Sequence, residues 1–215
     1  MTAKEIIAKR TAQELKDGDV VNLGIGIPGM VADYLPPEID ITFHAENGLV
    51  GIAGMQGATD PDITNAGGQM VKPALGAASI DSAMSFALIR GGHIDVTVLG
   101  ALQVDKQANL ANYMVPGKIV PGMGGAMDLV VGAKRVIVSM EHAAKDGSAK
   151  ILNKCTLPLT AVNVVDLIVT EMAVFTVDKD GLTLQEYAPG VTVEMIKEKT
   201  EADFTVSDNL KEMKL

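Results

Sequence analysis

Apolar and polar positions along this chain follow two periods, and the switches between them mark its elements. Residues 2–16 place Ala3, Ile7, Ala8, Thr11 and Leu15 on one helical face, with Lys and Glu on the other, which predicts an amphipathic helix. Lys16-Asp17-Gly18-Asp19 is a turn that stops it. Val20-Val21-Asn22-Leu23 reads as a short buried strand that runs into Gly24-Ile25-Gly26-Ile27-Pro28-Gly29. A helix is predicted from Met30 to Tyr34, closed by Pro36-Pro37, and residues 39–43 are the next predicted strand. Residues 48–78 are dense in glycine, hold Pro61 and Pro73 and read as irregular. Segments of this length inside a compact domain are usually functional loops or carry short strands of their own.

Periodicity returns at residues 79–90, a predicted helix. Ser79 is its expected N-cap and Asp81 its first-turn acid. Ile80, Ala83, Met84, Ala87 and Leu88 share a face, and Gly91 follows Arg90 as the stop. Strands are expected at 94–99, 135–140, within 151–159, at 167–170 and at 173–177, the last entering the hairpin turn Asp178-Lys179-Asp180-Gly181. A short helix is expected at 193–200, after Pro189-Gly190. No repeat or low-complexity linker divides the chain, so residues 1–215 read as a single α/β domain with a mostly parallel central sheet flanked by helices.

Composition narrows the function. The chain has 215 residues, 47% of them hydrophobic and only 3% aromatic, so the core is aliphatic. The surplus of apolar residues over what one core needs points to a buried subunit interface. Uncharged runs such as residues 20–32 fall short of the roughly 20 residues that span a membrane. The N-terminus carries no secretory pattern. The net charge is −9 and no Lys/Arg-rich run occurs, which leaves nucleic-acid binding without an electrostatic footprint. One cysteine, Cys155, fits a reducing cytoplasm and reads as a structural thiol. The histidines His44, His93 and His142 have no metal-ligand spacing and read as structural, so no metal site is expected.

Three glycine loops remain as candidate chemistry. They are Gly24-Ile25-Gly26, Glu46-Asn47-Gly48, and Gly122-Met123-Gly124-Gly125-Ala126-Met127-Asp128. The first two each follow a predicted strand. In parallel α/β sheets, ligands collect beyond the carboxyl ends of strands, and glycine lets backbone amides approach them closely. The first loop lacks the full dinucleotide-binding spacing, and no phosphate-gripping Gly-Lys-Ser/Thr is present. Glu46 stands out as a carboxylate without a basic neighbour in sequence. On residues alone it is either a turn residue or a site carboxylate.

Taken in order, these segments resemble the beta subunit of family I CoA-transferases, the 3-oxoacid, acetate and butyrate–acetoacetate type. The resemblance covers nearly the whole chain. It rests on Val21-Asn22-Leu23-Gly24-Ile25-Gly26-Ile27-Pro28, Glu46-Asn47-Gly48, Asn65-Ala66-Gly67-Gly68 and Phe86-Ala87-Leu88-Ile89-Arg90-Gly91-Gly92-His93. Pro116-Gly117-Lys118, the run from Pro121-Gly122 to Asp128, Met140-Glu141-His142 and residues 145–150 complete it. It implies that Glu46 is a covalent nucleophile and that backbone amides around Gly124 and Gly125 form an oxyanion hole. It implies CoA contacts at Asn22, Gly24, Gly26 and Asn47. Coenzyme A would be a substrate rather than a resident cofactor, short-chain carboxylates the acceptors, and an alpha subunit the partner. Two positions depart from the family pattern. Ala45 precedes the glutamate where Ser is frequent, and Gly68 stands where some relatives have Lys, with Lys72 nearby. The competing expectations are a non-catalytic α/β ligand-binding subunit and a sugar-phosphate isomerase-like enzyme. The second would need a phosphate grip.

Overall fold

A computed structural model describes residues 1–54, 57–117 and 122–215. The first helix, α1 (Ala3–Ala12), starts on a capping box. The Thr2 hydroxyl accepts from the Glu5 N–H, and the Glu5 carboxylate accepts from the Thr2 N–H. It ends four residues before the predicted turn, yet Ile7, Ala8, Thr11 and Leu15 are buried as the pattern requires. The next elements are β1 (Val20–Leu23), a 3-10 helix at Pro28–Tyr34, β2 (Thr42–Ala45), β3 (Leu49–Gly54), β4 (Lys72–Ser79) and α2 (Ser82–Arg90). Then come β5 (Val96–Leu99), β6 (Gln103–Asp105), β7 (Leu110–Ala111), α3 (Ala126–Gly132), β8 (Arg135–Ser139) and β9 (Ile151–Leu152). The chain closes with β10 (Leu167–Val169), β11 (Ala173–Asp178), β12 (Gly181–Tyr187), α4 (Val193–Lys199) and β13 (Phe204–Glu212).

Ten of these strands form one sheet in the order β13-β12-β11-β10-β8-β5-β1-β2-β3-β4. The central run β10-β8-β5-β1-β2 is entirely parallel, as the sequence predicts. Antiparallel pairs appear only toward the flanks, at β2–β3, β3–β4, β10–β11 and β11–β12. Strands β7, β6 and β9 make a separate small sheet. Successive residues of a strand face opposite sides, and β8 shows the result. Ile137 packs with Ile7, Ala8 and Val31 on the α1 side. Val136 and Val138 pack with Ile89, Leu129, Phe175 and Ile196 on the side of α2, α3 and α4. Pro73 lies in β4, the sheet's outer strand, where a missing N–H costs no ladder bond.

Several elements depart from the sequence reading. The strand expected at 39–43 begins at Thr42 and runs to Ala45. Its first residues are drawn away instead. The Asp40 N–H donates to Asp17, and the Asp40 carbonyl accepts from Gly18. The segment expected to be irregular supplies both β3 and β4. Ser79 ends β4, paired with Leu49, so the N-cap of α2 passes to Asp81, whose carboxylate accepts from the Met84 N–H at 2.8 Å. The buried residues of α2 are Ser85 and Ile89, while Met84 is 54% exposed. The helix expected at 30–34 is 3-10 and starts at Pro28. Elements β6, β7, α3 and β13 had no counterpart in the sequence reading, while β12 is the return strand of the hairpin expected at 178–181. Among the described residues, no helix is long and apolar enough to cross a membrane.

Candidate active site

Glu46 is the first residue after β2, at the carboxyl end of the central parallel strands. A tight turn holds it there. The Gly48 N–H donates to the Ala45 carbonyl at 2.9 Å, and the Ile80 N–H donates to the Gly48 carbonyl at 2.8 Å. Gly48 has φ +117, and any Cβ there would run into the Ile80 carbonyl. Only glycine satisfies both demands. The Asn47 side chain, expected at CoA, donates to the Thr64 carbonyl at 2.8 Å and ties the turn to the segment before β4.

Strand periodicity sets what lies beneath Glu46. His44 and Glu46 are two residues apart and so share a face. Asn22 of β1 pairs in register with His44. Its side-chain Nδ2 donates to Glu46 Oε2 at 3.0 Å and to the His44 carbonyl at 3.1 Å, and lies 3.3 Å from His44 Nδ1. His44 Nε2 is 2.9 Å from the Ser85 hydroxyl of α2. Asn22, His44 and Ser85 are all buried, and Glu46 above them is half-buried. Burial holds the His44 imidazole below its ordinary pKa, against the opposing charge of Glu46.

The third glycine loop comes in from the side. An added Cβ at Gly125, which caps α3, would sit 3.2 Å from Glu46 Cγ and 3.4 Å from Phe86 Cζ. Gly124 has φ +52. Among the described residues, neither the Gly124 nor the Gly125 N–H has a backbone acceptor. The cradle is braced by Arg90 of α2. Its guanidinium lies 5.5 Å from the Phe86 ring centroid, and its Nε donates to Asp128 of α3 at 2.6 Å. The first glycine loop lies on the opposite flank. The Gly24 N–H donates to the Val98 carbonyl at 2.8 Å, and a Cβ there would crowd that carbonyl and Leu99. Gly26 has φ +88, and neighbouring Ile25 packs toward Gly67. Gly68, where some relatives have Lys, has φ +75, a conformation that would strain a lysine. Lys72 is exposed at the start of β4. Lys118 and Pro121 lie outside the described residues.

The remaining candidates are placed elsewhere in the fold. His142 is fully buried between the hydroxyls of Thr170 and Thr200, each at 2.9 Å, and burial lowers its pKa to about 4. His93 is exposed just after α2. Burial and the neighbouring Asp105 push the Cys155 thiol up to about 12, far from a reactive thiolate. The sequence reading missed the pairing of His44 with Ser85. Its signal was available: a serine in the middle of a largely apolar helix, and a histidine two positions before the carboxylate.

The profile of the coenzyme A transferase family matches residues 4–199 of this chain. The acetate CoA-transferase subunit beta of Haemophilus influenzae is 59% identical, over 100% of this chain and 97% of its own length. That of Escherichia coli K12 is 60% identical, over 98% and 97%. Among solved structures, the acyl-CoA transferase YdiF of E. coli O157:H7, in its thioester complex with CoA, is similar at TM-score 0.75 and 26% identity. That match takes in 100% of this chain and 43% of the YdiF chain, so this chain spans less than half of that protein.

Proposed function

Because the chain belongs to the coenzyme A transferase family, we propose that Glu46 carries CoA as a covalent thioester between an acyl-CoA and a carboxylate. The chain acts as the beta subunit of a two-subunit enzyme, as the names of its bacterial relatives have it. An alpha subunit closes the site over Glu46. The observation that carries the reading is the position of Glu46, half-buried on a glycine turn at the strand ends, with one oxygen held by Asn22 and its methylene against Gly125.

The chemistry follows from those groups. Glu46 Oε attacks the thioester carbonyl of the acyl-CoA. The C–S bond breaks, and a glutamyl–acyl anhydride and CoA thiolate result. The thiolate attacks the glutamyl carbonyl, releases the first carboxylate and leaves CoA on Glu46. An incoming carboxylate attacks that thioester and forms a second anhydride. The expelled thiolate then attacks its acyl carbonyl, which frees Glu46 and gives the new acyl-CoA. Each step exchanges one acyl bond for another, and none requires net proton transfer. Every addition places negative charge on a carbonyl oxygen, and the N–H groups of Gly124 and Gly125 are the donors that meet it. Losing one such donor costs about 3–4 kcal/mol. The Asn22 amide is engaged with Glu46 from the start, so its part in CoA handling begins once CoA is on that side chain. Gly26, whose Cβ direction is open, leaves room for the pantetheine chain beside it, and Gly24, packed on the Val98 carbonyl, lines that path with its backbone. The acyl groups are short-chain, of the acetate, butyrate or acetoacetate type.

The direct test is exchange of labelled acetate into acyl-CoA by the co-expressed alpha–beta enzyme. Glu46→Ala and Glu46→Gln lose at least about a thousandfold in kcat, as removal of a covalent nucleophile does. Either variant within tenfold of wild type contradicts the assignment.

A further inference from the structure

We propose that His44 and Ser85 are positioning residues for Glu46, acting through the side chain of Asn22. The inference rests on Glu46 being the nucleophile, and extends that reading to two side chains that never meet substrate.

The argument starts from donors and acceptors. An amide nitrogen donates two hydrogens and accepts none, and an ionised carboxylate only accepts. Asn22 Nδ2 faces Glu46 Oε2, the His44 carbonyl and His44 Nδ1, at 3.0, 3.1 and 3.3 Å. Glu46 Oε2 and the His44 carbonyl only accept, so they take the two amide hydrogens; an Nδ1–H would then face an amide N–H, which leaves the lone pair on His44 Nδ1 and the ring proton on Nε2. There it donates to the Ser85 hydroxyl, 2.9 Å away. The Ser85 hydroxyl of α2 accepts that proton and anchors the ring of β2. The anchored ring, its lone pair toward Nδ2, holds the Asn22 amide in the orientation that donates to Glu46. The reversed amide would aim its oxygen at the carboxylate, two acceptors face to face. The present orientation leaves Asn22 Oδ1 buried without a partner. Such an orphan costs about 1–3 kcal/mol, so the orientation has to be enforced by its neighbours. His44 and Ser85 are 3% and 0% exposed, and water does not substitute for either.

The surroundings of His44 support a neutral ring. Across β1 it faces Asn22, across β3 Val50, and across α2 Ser85; Glu46 is the charged group acting on it. Burial opposes protonation more strongly than Glu46 favours it. A protonated ring would put an N–H against the Asn22 amide and break the relay from below.

The experiment uses the assembled alpha–beta enzyme and reads kcat, KM for acyl-CoA and the pre-steady-state rate at which CoA appears on the peptide containing Glu46. His44→Leu keeps the bulk and removes both hydrogen bonds. It lowers kcat and the adduct rate about 10- to 100-fold, the scale of a misoriented reacting group, and leaves KM within about threefold. His44→Gln offers a carbonyl to Asn22 and an amide to Ser85, so it recovers to within about threefold of wild type. Ser85→Ala removes the anchor of the ring and loses several-fold in kcat. If His44→Leu fails to assemble, Ser85→Ala carries the test. Nitrogen-15 histidine spectra show the Nε2–H tautomer for His44 in wild type, and an Nδ1–H ring there overturns the proposal. Wild-type kcat in His44→Leu or Ser85→Ala overturns the proposal, as does an equal loss in His44→Leu and His44→Gln. If Glu46→Ala is active, the nucleophile reading itself fails. If Glu46→Ala is inactive while His44→Leu is fully active, only the relay fails.

Discussion

Glycine at two neighbouring positions does different work at the site. A Cβ at Gly125 would press on Glu46 Cγ at 3.2 Å, whereas a Cβ at Gly124 meets nothing within 4 Å, and its demand is the left-handed φ of +52. Gly125→Ala therefore shifts the Glu46 side chain by a few tenths of an ångström and costs about 10- to 100-fold in kcat, with little change in melting temperature. Gly124→Ala costs about 1–2 kcal/mol of stability through its backbone and less activity. Steady-state kinetics beside thermal melts of the two variants separates these outcomes, and equal effects on both readouts contradict the geometry. At this scale the sequence revealed Glu46, because a carboxylate among glycines lacks an ordinary partner. It did not reveal the Asn22–His44–Ser85 chain. Those contacts depend on register across 22 and 41 positions of sequence, and no local pattern encodes register.

Elements differ in how plainly their residues announce them. The hydrophobic β5, β8 and β10 were legible because both of their faces are buried. β12 alternates buried and partly exposed positions along its length, a signal available in Leu182, Leu184 and Glu186 but interrupted by the last being charged. That charge is answered by Arg10, whose Nε donates to Glu186 at 2.6 Å inside the fold. β13 shows no alternation, since most of it is exposed at the edge. α3 is seven residues of mostly small or apolar side chains, too short to show a period. His142 joins three elements, bonding Thr170 after β10 and Thr200 after α4 from its place beyond β8. Its folded pKa, about 4, lies below the ordinary 6.5. The unfolded chain therefore binds the proton first. The resulting stabilisation is complete above about pH 6.5 and is lost as pH falls toward 4, about 3 kcal/mol in all. Urea midpoints of the subunit should decline from pH 7 to pH 5, and His142→Gln should flatten that decline. An unchanged slope in the variant would place the acid sensitivity elsewhere.

The whole molecule is a sheet whose centre was foreseeable and whose edges were not. Strand order follows from long-range pairing; the hairpin turn at 178–181 announced β11–β12, while the antiparallel flank β2–β3–β4 is the part that the sequence reading did not contain. The excess of apolar residues has a visible counterpart. Leu75 on the outer strand β4 is fully exposed, and Ile25 and Met84 are 77% and 54% exposed. Such side chains are consistent with a surface that an alpha subunit covers. The central claim is that Glu46 carries CoA, and the mass of the protein tests it most directly. The co-expressed alpha–beta enzyme is mixed with acyl-CoA, without acceptor carboxylate, quenched in acid and analysed intact and as peptides. The account predicts that the beta subunit gains the mass of CoA less one water, on the peptide containing Glu46, and that the adduct disappears when acetate is added. It also predicts that the beta subunit alone gains nothing. Turnover without that mass, or an adduct on any other residue, would contradict the account.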